Sequence, residues 1–185
     1  MKLFLKRNRL ILLLLLILIV ITYGNSLNNA FLSDDLAEIV QNPNIGNFSN
    51  LASHPFGFIR PLFYWLAFNI SGLNPFLFRL TNILLHLGSV FLIFALLNHL
   101  HSKKLAVFVA AIFAVHPAIG EAVVWISGGS YPQYAFFFLL AFVSYILSKN
   151  HKKYYFLAIF SFLLAFMSHP QMPLALFLIF PLYEI

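Results

Sequence analysis

Six apolar runs, at roughly 10–24, 80–98, 105–124, 133–148, 154–168 and 172–185, alternate with short polar stretches and clusters of Lys and Arg. This pattern limits the possible folds more than any other feature. A helix needs about 20 apolar residues to cross the hydrocarbon of a bilayer. The runs at 80–98 and 105–124 meet that length, and those at 133–148 and 154–168 fall short of it. Hydrophobic residues make up 62% of the chain and charged residues 9%, against about 45–50% and about 25% in a soluble domain. One aqueous core cannot hide that much apolar surface. The expectation is an all-α polytopic membrane protein, a single membrane domain over 1–185 with about six transmembrane helices. The chain has no cysteine, which excludes disulfides, thiolate metal sites and cysteine nucleophiles.

The net charge of +6 raises the question of nucleic acid. The basic residues sit in clusters between apolar runs, which reads as membrane orientation instead. The stretch "KRNRLILLLLLILIVITY" has a basic start, an apolar core and only a poor cleavage site ending at Ala30. It reads as an uncleaved signal anchor. With the N-terminus in the cytoplasm, nine of the eleven Lys and Arg lie inside, and only Arg60 and Arg79 lie outside. That asymmetry is the positive-inside pattern. The external side then carries one large loop, 25–79, and small turns near 116–133 and 168–173. Asp34, Asp35, Glu38 and Glu121 face it. Within the loop, "LFYWLAFNI" (62–70) follows Pro61, is too short to span, and reads as an interfacial helix with Tyr64 and Trp65 at headgroup level. The chemistry is expected at the external face, and the Lys-rich, Cys-free character suits a bacterial plasma membrane. The last run reaches Ile185 with no polar tail, which reads as a chain cut short of further spans.

Only five acids occur in the chain, and two of them are adjacent in "FLSDD". Asp35 with Glu38 three residues later has the spacing of a capping box. That leaves Asp34 without a role, because neighbouring residues point in different directions. A carboxylate at a membrane surface can accept a hydroxyl proton or help hold a divalent cation. Arg60, before Pro61, fits either an arginine snorkelling to the interface or a phosphate clamp. Arg79, Asn82 and His86 share one helix face at i, i+3 and i+7. Such a stripe suits helix–helix hydrogen bonds or a wet cavity. In "FAVHPAIGEAVVWISGG", His116 and Glu121 are five residues apart, which is not the spacing of a zinc H-E-x-x-H pair. Pro117 is expected to disturb that helix. His169 sits at the outer end of the fifth run. Phosphate-cradling glycine loops, nucleophile elbows and nucleic-acid motifs do not occur.

Taken in order, Asp-Asp in the first loop, "NPNI", "RPL", N-x-x-x-H, "AVHPAIGEAVVWISG", "SHP" and "PLYE" resemble the amino-terminal half of the GT-C membrane glycosyltransferases. The likeness is greatest to the transmembrane-and-tetratricopeptide O-mannosyltransferases and their bacterial relatives, and more distant to protein O-mannosyltransferases. It runs from about Asp34 to Glu184. The resemblance implies a GT-C-like helical bundle and inverting transfer of a mannose-like hexose. The donor it implies is a polyprenyl-phosphate sugar, and the acceptor is a protein or glycan hydroxyl at the outer face. Asp34 takes the place of the catalytic base and Asp35 of its partner. Arg60, with Arg79 and His169, would meet the donor phosphate. Asn82, His86, His116 and Glu121 would form a supporting polar cluster. Membrane lipid is a partner and nucleic acid is not. The resemblance implies metal-independent transfer, although two outer carboxylates and His116 could hold Mg²⁺ or Mn²⁺. Gly129 and Tyr131 stand where many relatives carry Arg and Asp, and His169 where many carry Lys, which bears on acceptor choice and phosphate binding. Two other functions fit the residues: a non-catalytic module that binds or moves lipid-linked sugars, and an inactive fragment.

Overall fold

A computed structural model describes residues 2–53, 57–149 and 151–169, and the described residues form helices and turns without a strand. Helix α1 (Lys2–Tyr23) starts inside the basic cluster and continues through the first apolar run. It is apolar all round beyond Leu10, as a helix surrounded by lipid or protein must be. Helix α2 (Ile59–Ser71) occupies the stretch expected to be interfacial. Helix α3 (Pro75–Leu100) begins with Asn74 as N-cap, its side chain accepting from the Phe76 amide at 3.0 Å, and with Pro75 in the first turn. Both are favoured starts, because the cap satisfies an orphan amide and proline has none to lose. Two residues turn the chain into α4 (Lys103–Val115), where Ser102 caps the Leu105 amide.

The run at 105–124 departs from the expectation of one continuous span. It breaks at His116 into α4 and α5 (Pro117–Val124), bent by 55°. Proline has no amide and forces the residue before it into an extended conformation. His116 adopts φ −62° and ψ 126° accordingly, and its Nδ1 accepts from the Ala118 amide at 3.2 Å, so it caps α5. A 3-10 turn, Ser127–Gly129, leads into α6 (Ser130–Ser148), followed by α7 (Lys153–Ser168). Helix α3 and the segment Ser127–Ser148 are long and apolar enough to cross a membrane, and α4 with α5 makes a third if the bent pair counts as one. Helix α7, with 16 residues, is shorter. The run at 172–185 lies outside the described residues.

Small side chains let these helices approach. Ala106, Ala110 and Ala114 line the buried face of α4 against Leu15, Ile19 and Tyr23 of α1 and Ile83, Val90 and Phe94 of α3. Ala158, Ser161, Ala165 and Ser168 do the same on α7, which packs along α6. A Cβ placed on Gly88 would meet the Phe136 ring at 2.5 Å, so α3 and α6 approach closely there and a larger residue would have to displace the ring. Lipid competes with apolar side chains for apolar contact, and close steric fit becomes the main source of helix association. The outer surfaces carry Leu13, Leu14, Ile17 and Ile21 on α1, Phe108 and Ile112 on α4, and Phe156, Phe160 and Leu163 on α7, all exposed. Continuous apolar faces of this size belong in lipid.

At one end of the bundle the 25–79 loop folds onto it. Ile39, Tyr64, Ala67, Phe78 and Ile126 form a second, smaller core with Phe31, Ile45, Phe68 and Leu77 packed against it. Trp65 donates its indole N–H to the Gly46 carbonyl at 3.2 Å and meets Phe48 edge to face. Loop and α2 are thereby positioned around the turn that follows α5.

Candidate active site

The turn after α5 poses a local problem. A helix ends with carbonyls that have no amide partner within it. At Val124, Trp125, Ile126 and Ser127 four consecutive carbonyls each accept a bond from a different side chain. Arg79 Nε donates to Val124 O at 3.1 Å and Asn82 Nδ2 to Trp125 O at 3.2 Å. Tyr64 OH donates to Ile126 O at 3.1 Å, and an Arg60 amino group to Ser127 O at 2.9 Å. Two donors come from α3 and two from α2. The two glycines that follow add the Gly128 amide to Trp125 O and the Gly129 amide to Ile126 O. A Cβ on Gly129 would come within 2.8 Å of Asn82 Oδ1, so the turn needs glycine there for close approach.

The same turn holds the acid loop. Asp35 is 0% exposed. Its Oδ1 accepts from the Ser127 amide at 2.8 Å and from the Ser127 hydroxyl at 2.6 Å, and its Oδ2 accepts from the Leu32 amide at 3.2 Å. Arg79 completes the anchor. It is 2% exposed and donates to the Asn29 and Ala30 carbonyls, just upstream of "FLSDD", as well as to Val124 O. Asp34 lies outside this lattice. It is exposed and meets the Ser33 hydroxyl at 3.3 Å. Ser33 takes φ 52°, a left-handed conformation that serine adopts at a cost of roughly 1–3 kcal/mol. That kink separates two neighbouring carboxylates, sending one into the protein and the other to water.

The capping box expected for Asp35 and Glu38 does not form. A π-helical turn, Leu36–Val40, starts there without a side-chain cap, because Asp35 is taken by Ser127. Glu38 pairs instead with Arg60 at 3.1 Å and lies 3.5 Å from Tyr64 OH. Burial pushes the Tyr64 phenol up, opposed by the Arg60 charge and reinforced by Glu38. The phenol therefore stays a donor to Ile126 O. Tyr64, Glu38, Ser127 and Trp125 went unread as site residues in the sequence. The "WISG" stretch quoted with the other motifs was their signal, since a polar residue after a short helix needs partners.

The remaining expected residues separate. Arg79 is committed to three backbone carbonyls and holds the loop, which sets it apart from a cation free to meet phosphate. Arg60 is half-buried, with donors on Ser127 O and Glu38, and it is the arginine nearer solvent. His86 is buried between Tyr23 and Phe113 and donates from Nε2 to the Ala114 carbonyl at 3.0 Å, a bond between α3 and α4. Asn82 braces the turn. His116 caps α5 and is exposed, as is Glu121. His169 stacks on Tyr131 with ring centroids 5.6 Å apart. Among the described residues no group of three or more His, Cys, Asp or Glu could hold a metal ion.

Comparison with known proteins shows the family of the chain. The family profile for dolichyl-phosphate-mannose-protein mannosyltransferases matches residues 53–184. The chain is 32% identical over 145 residues to the protein O-mannosyl-transferase TMTC1 of Homo sapiens, covering 68% of this chain and 16% of that protein. The Mus musculus protein of the same name is 32% identical over 147 residues, covering 68% of this chain and 15% of its own length. The Drosophila melanogaster protein O-mannosyl-transferase Tmtc1 is 31% identical over 143 residues, 68% of this chain and 17% of that protein. This chain thus spans about one sixth of the length of these relatives. No solved structure matches it.

Proposed function

This chain belongs to the dolichyl-phosphate-mannose-protein mannosyltransferase family, and on that premise we propose that it carries the acid loop of an inverting membrane glycosyltransferase. The donor in this reading is a polyprenyl-phosphate hexose, mannose or a close relative, and the acceptor is a hydroxyl at the external face. Asp34 takes the proton of the acceptor hydroxyl as the oxygen attacks the anomeric carbon. The bond from that carbon to the phosphate oxygen breaks on the opposite face, and polyprenyl phosphate leaves with the electron pair. The configuration inverts. A positioned carboxylate base contributes roughly 10²–10⁴-fold in such a step.

The observation that carries this reading is the divergence of the two aspartates. Asp35, Arg79 and the turn 124–127 build a fixed support, and of the two adjacent aspartates Asp34 is the one left open to water. Arg60 supplies a cation for the leaving phosphate, in place of its pairing with Glu38, and a preorganised donor at developing charge is the larger catalytic effect. Metal ions are left open by this arrangement. The apolar helix faces beside the loop suit the lipid tail of the donor, and the asymmetry of Lys and Arg supports an external acid loop.

The test uses the full-length protein in membranes with radiolabelled polyprenyl-phosphate mannose. Asp34→Asn is expected to lower transfer by at least 100-fold with unchanged membrane insertion. Asp35→Asn is expected to lower transfer and also to expose the loop to protease. Transfer that survives Asp34→Asn would rule out the base. It would favour a module that binds lipid-linked sugar without reacting.

A further inference from the structure

The helices separate at the end of the bundle opposite the acid loop. Helix α1 packs on α3 and α4, and α7 packs on α6, with α3 between the two groups. The space left there is a groove of about 640 Å³. Its walls are apolar over most of their length, with Leu12 of α1, Leu92 and Leu96 of α3, and Leu140, Val143 and Leu147 of α6. From Leu147 to Leu140 it is about 10 Å deep at the rise of a helix. Its mouth is polar instead. Asn98 and His99 line it from the last turn of α3, and His151 and Tyr154 from the start of α7. The His151 ring meets that of Tyr154 edge to face at 6.1 Å, and the Lys153 ammonium lies 5.2 Å from the centre of the Tyr154 ring. His99, His151 and Lys153 are exposed. From Arg79 to His99 along α3 is about 30 Å, so the mouth is remote from the site described above.

We propose that this groove binds an acidic phospholipid, with an acyl chain along its apolar depth and the phosphate at Lys153, His151 and His99. The two-ended lining selects an amphiphile. A soluble anion would leave the apolar length unfilled, and a further helix laid in the groove would fill the length and leave the cations of the mouth unmatched. Volume and lining are those of a ligand pocket, mostly apolar with a few convergent polar groups. Charge then selects the headgroup. Among the described residues the acids, Asp34, Asp35, Glu38 and Glu121, all belong to the loop end, whereas Lys6, Arg9, Lys103, Lys152 and Lys153 lie at the mouth end. An ammonium donating to phosphate oxygens makes a charge-assisted bond of the stronger kind. The positive-inside pattern accounts for basic residues at that end, but it does not require an apolar groove opening beneath them. On the topology read from the charge asymmetry, the mouth meets the cytoplasmic leaflet, whose acidic lipids attract each nearby Lys or Arg. The proposal stands whether or not Asp34 acts as a base.

The experiment uses the full-length protein, stripped of lipid in detergent and then supplied with phosphatidylglycerol, phosphatidylcholine or inorganic phosphate. Bound lipid is counted by native mass spectrometry, and affinity is read from the rise of the thermal midpoint on titration. Wild type is expected to retain phosphatidylglycerol in preference to phosphatidylcholine, and inorganic phosphate alone to leave the midpoint unmoved. Lys153→Gln, at an exposed position, is expected to weaken phosphatidylglycerol about fivefold. Lys104→Gln removes the same charge from α4, which contributes nothing to the groove, and is expected to leave that affinity unchanged. Ala95→Phe places a ring in the apolar depth and is expected to abolish retention of either lipid. Equal binding of the two lipids, or equal losses in Lys104→Gln and Lys153→Gln, would reduce the effect to diffuse surface attraction and overturn the site. Stabilisation by inorganic phosphate alone would overturn it too, as would a wild-type protein that retains no lipid because another segment of the full chain closes the groove.

Discussion

The membrane bundle and the loop-bearing end are held together by opposite means. Within the bundle, α3, α4, α6 and α7 meet through Ala110, Ala114, Ala165 and Gly88, and the buried polar side chains there mostly bond their own helix. At the loop end, Arg60, Tyr64, Arg79 and Asn82 reach between elements to four successive carbonyls. Apolar burial gains little between helices already in lipid, so fit decides. At the end of a broken helix the unpaired carbonyls are the larger liability, and polar side chains decide. The difference teaches that an arginine in this kind of protein need not serve a ligand. Arg79, which the family resemblance sets at the donor phosphate, donates here to three backbone carbonyls.

Three substitutions bear on that comparison. The largest effect on stability is expected from Arg79→Met, which deletes three bonds from a buried cation without burying a new charge. It should destabilise the loop end by about 3–5 kcal/mol. The outcome to look for is rapid protease cleavage within 25–58 while α3 to α7 remain protected in detergent. Equal protection with and without Arg79 would break the distinction drawn here. Gly88→Val should be next, because the added methyls meet the Phe136 ring. Overpacking of this kind costs roughly 1–3 kcal/mol. It should lower the thermal midpoint of the whole protein and leave loop protection in proportion, the reverse of Arg79→Met. Ser127→Ala is expected to be mildest, about 1 kcal/mol. It removes one of two bonds to Asp35 Oδ1 and leaves the amide bond in place. Hydrogen exchange confined to residues 31–40 would show it, and exchange spread through the bundle would argue that loop and bundle are one cooperative unit.

Much of this architecture was legible in order along the chain. The apolar runs foretold α1, α3, α6 and α7, Pro61 and the length of 62–70 foretold α2, and Pro117 foretold a disturbance that proved to be a 55° break. The adjacency of Asp34 and Asp35 already required two different roles. What could not be read was which carboxylate would be buried, because capping geometry and a tertiary partner compete for the same oxygen atoms. Ser127 settles it for Asp35, and the Ser33 backbone then turns Asp34 outward. Trp65 and Tyr64, adjacent aromatics on one short helix, also divided. Trp65 packs on Phe48 at the loop surface, and Tyr64 points inward to Ile126.

By itself the sequence determined where helices begin, break and meet lipid. Those properties depend on hydrophobic length, on proline's missing amide and on caps within three residues, all of them local. Only the tertiary structure decided which polar group is buried, which braces the turn and which caps a helix. The partners in those bonds lie 43 to 92 residues apart for Asn82 with Trp125 and Asp35 with Ser127. A hydrogen bond chooses among donors by position to within a few tenths of an ångström, and only the packing of α2, α3 and the 124–127 turn sets those positions.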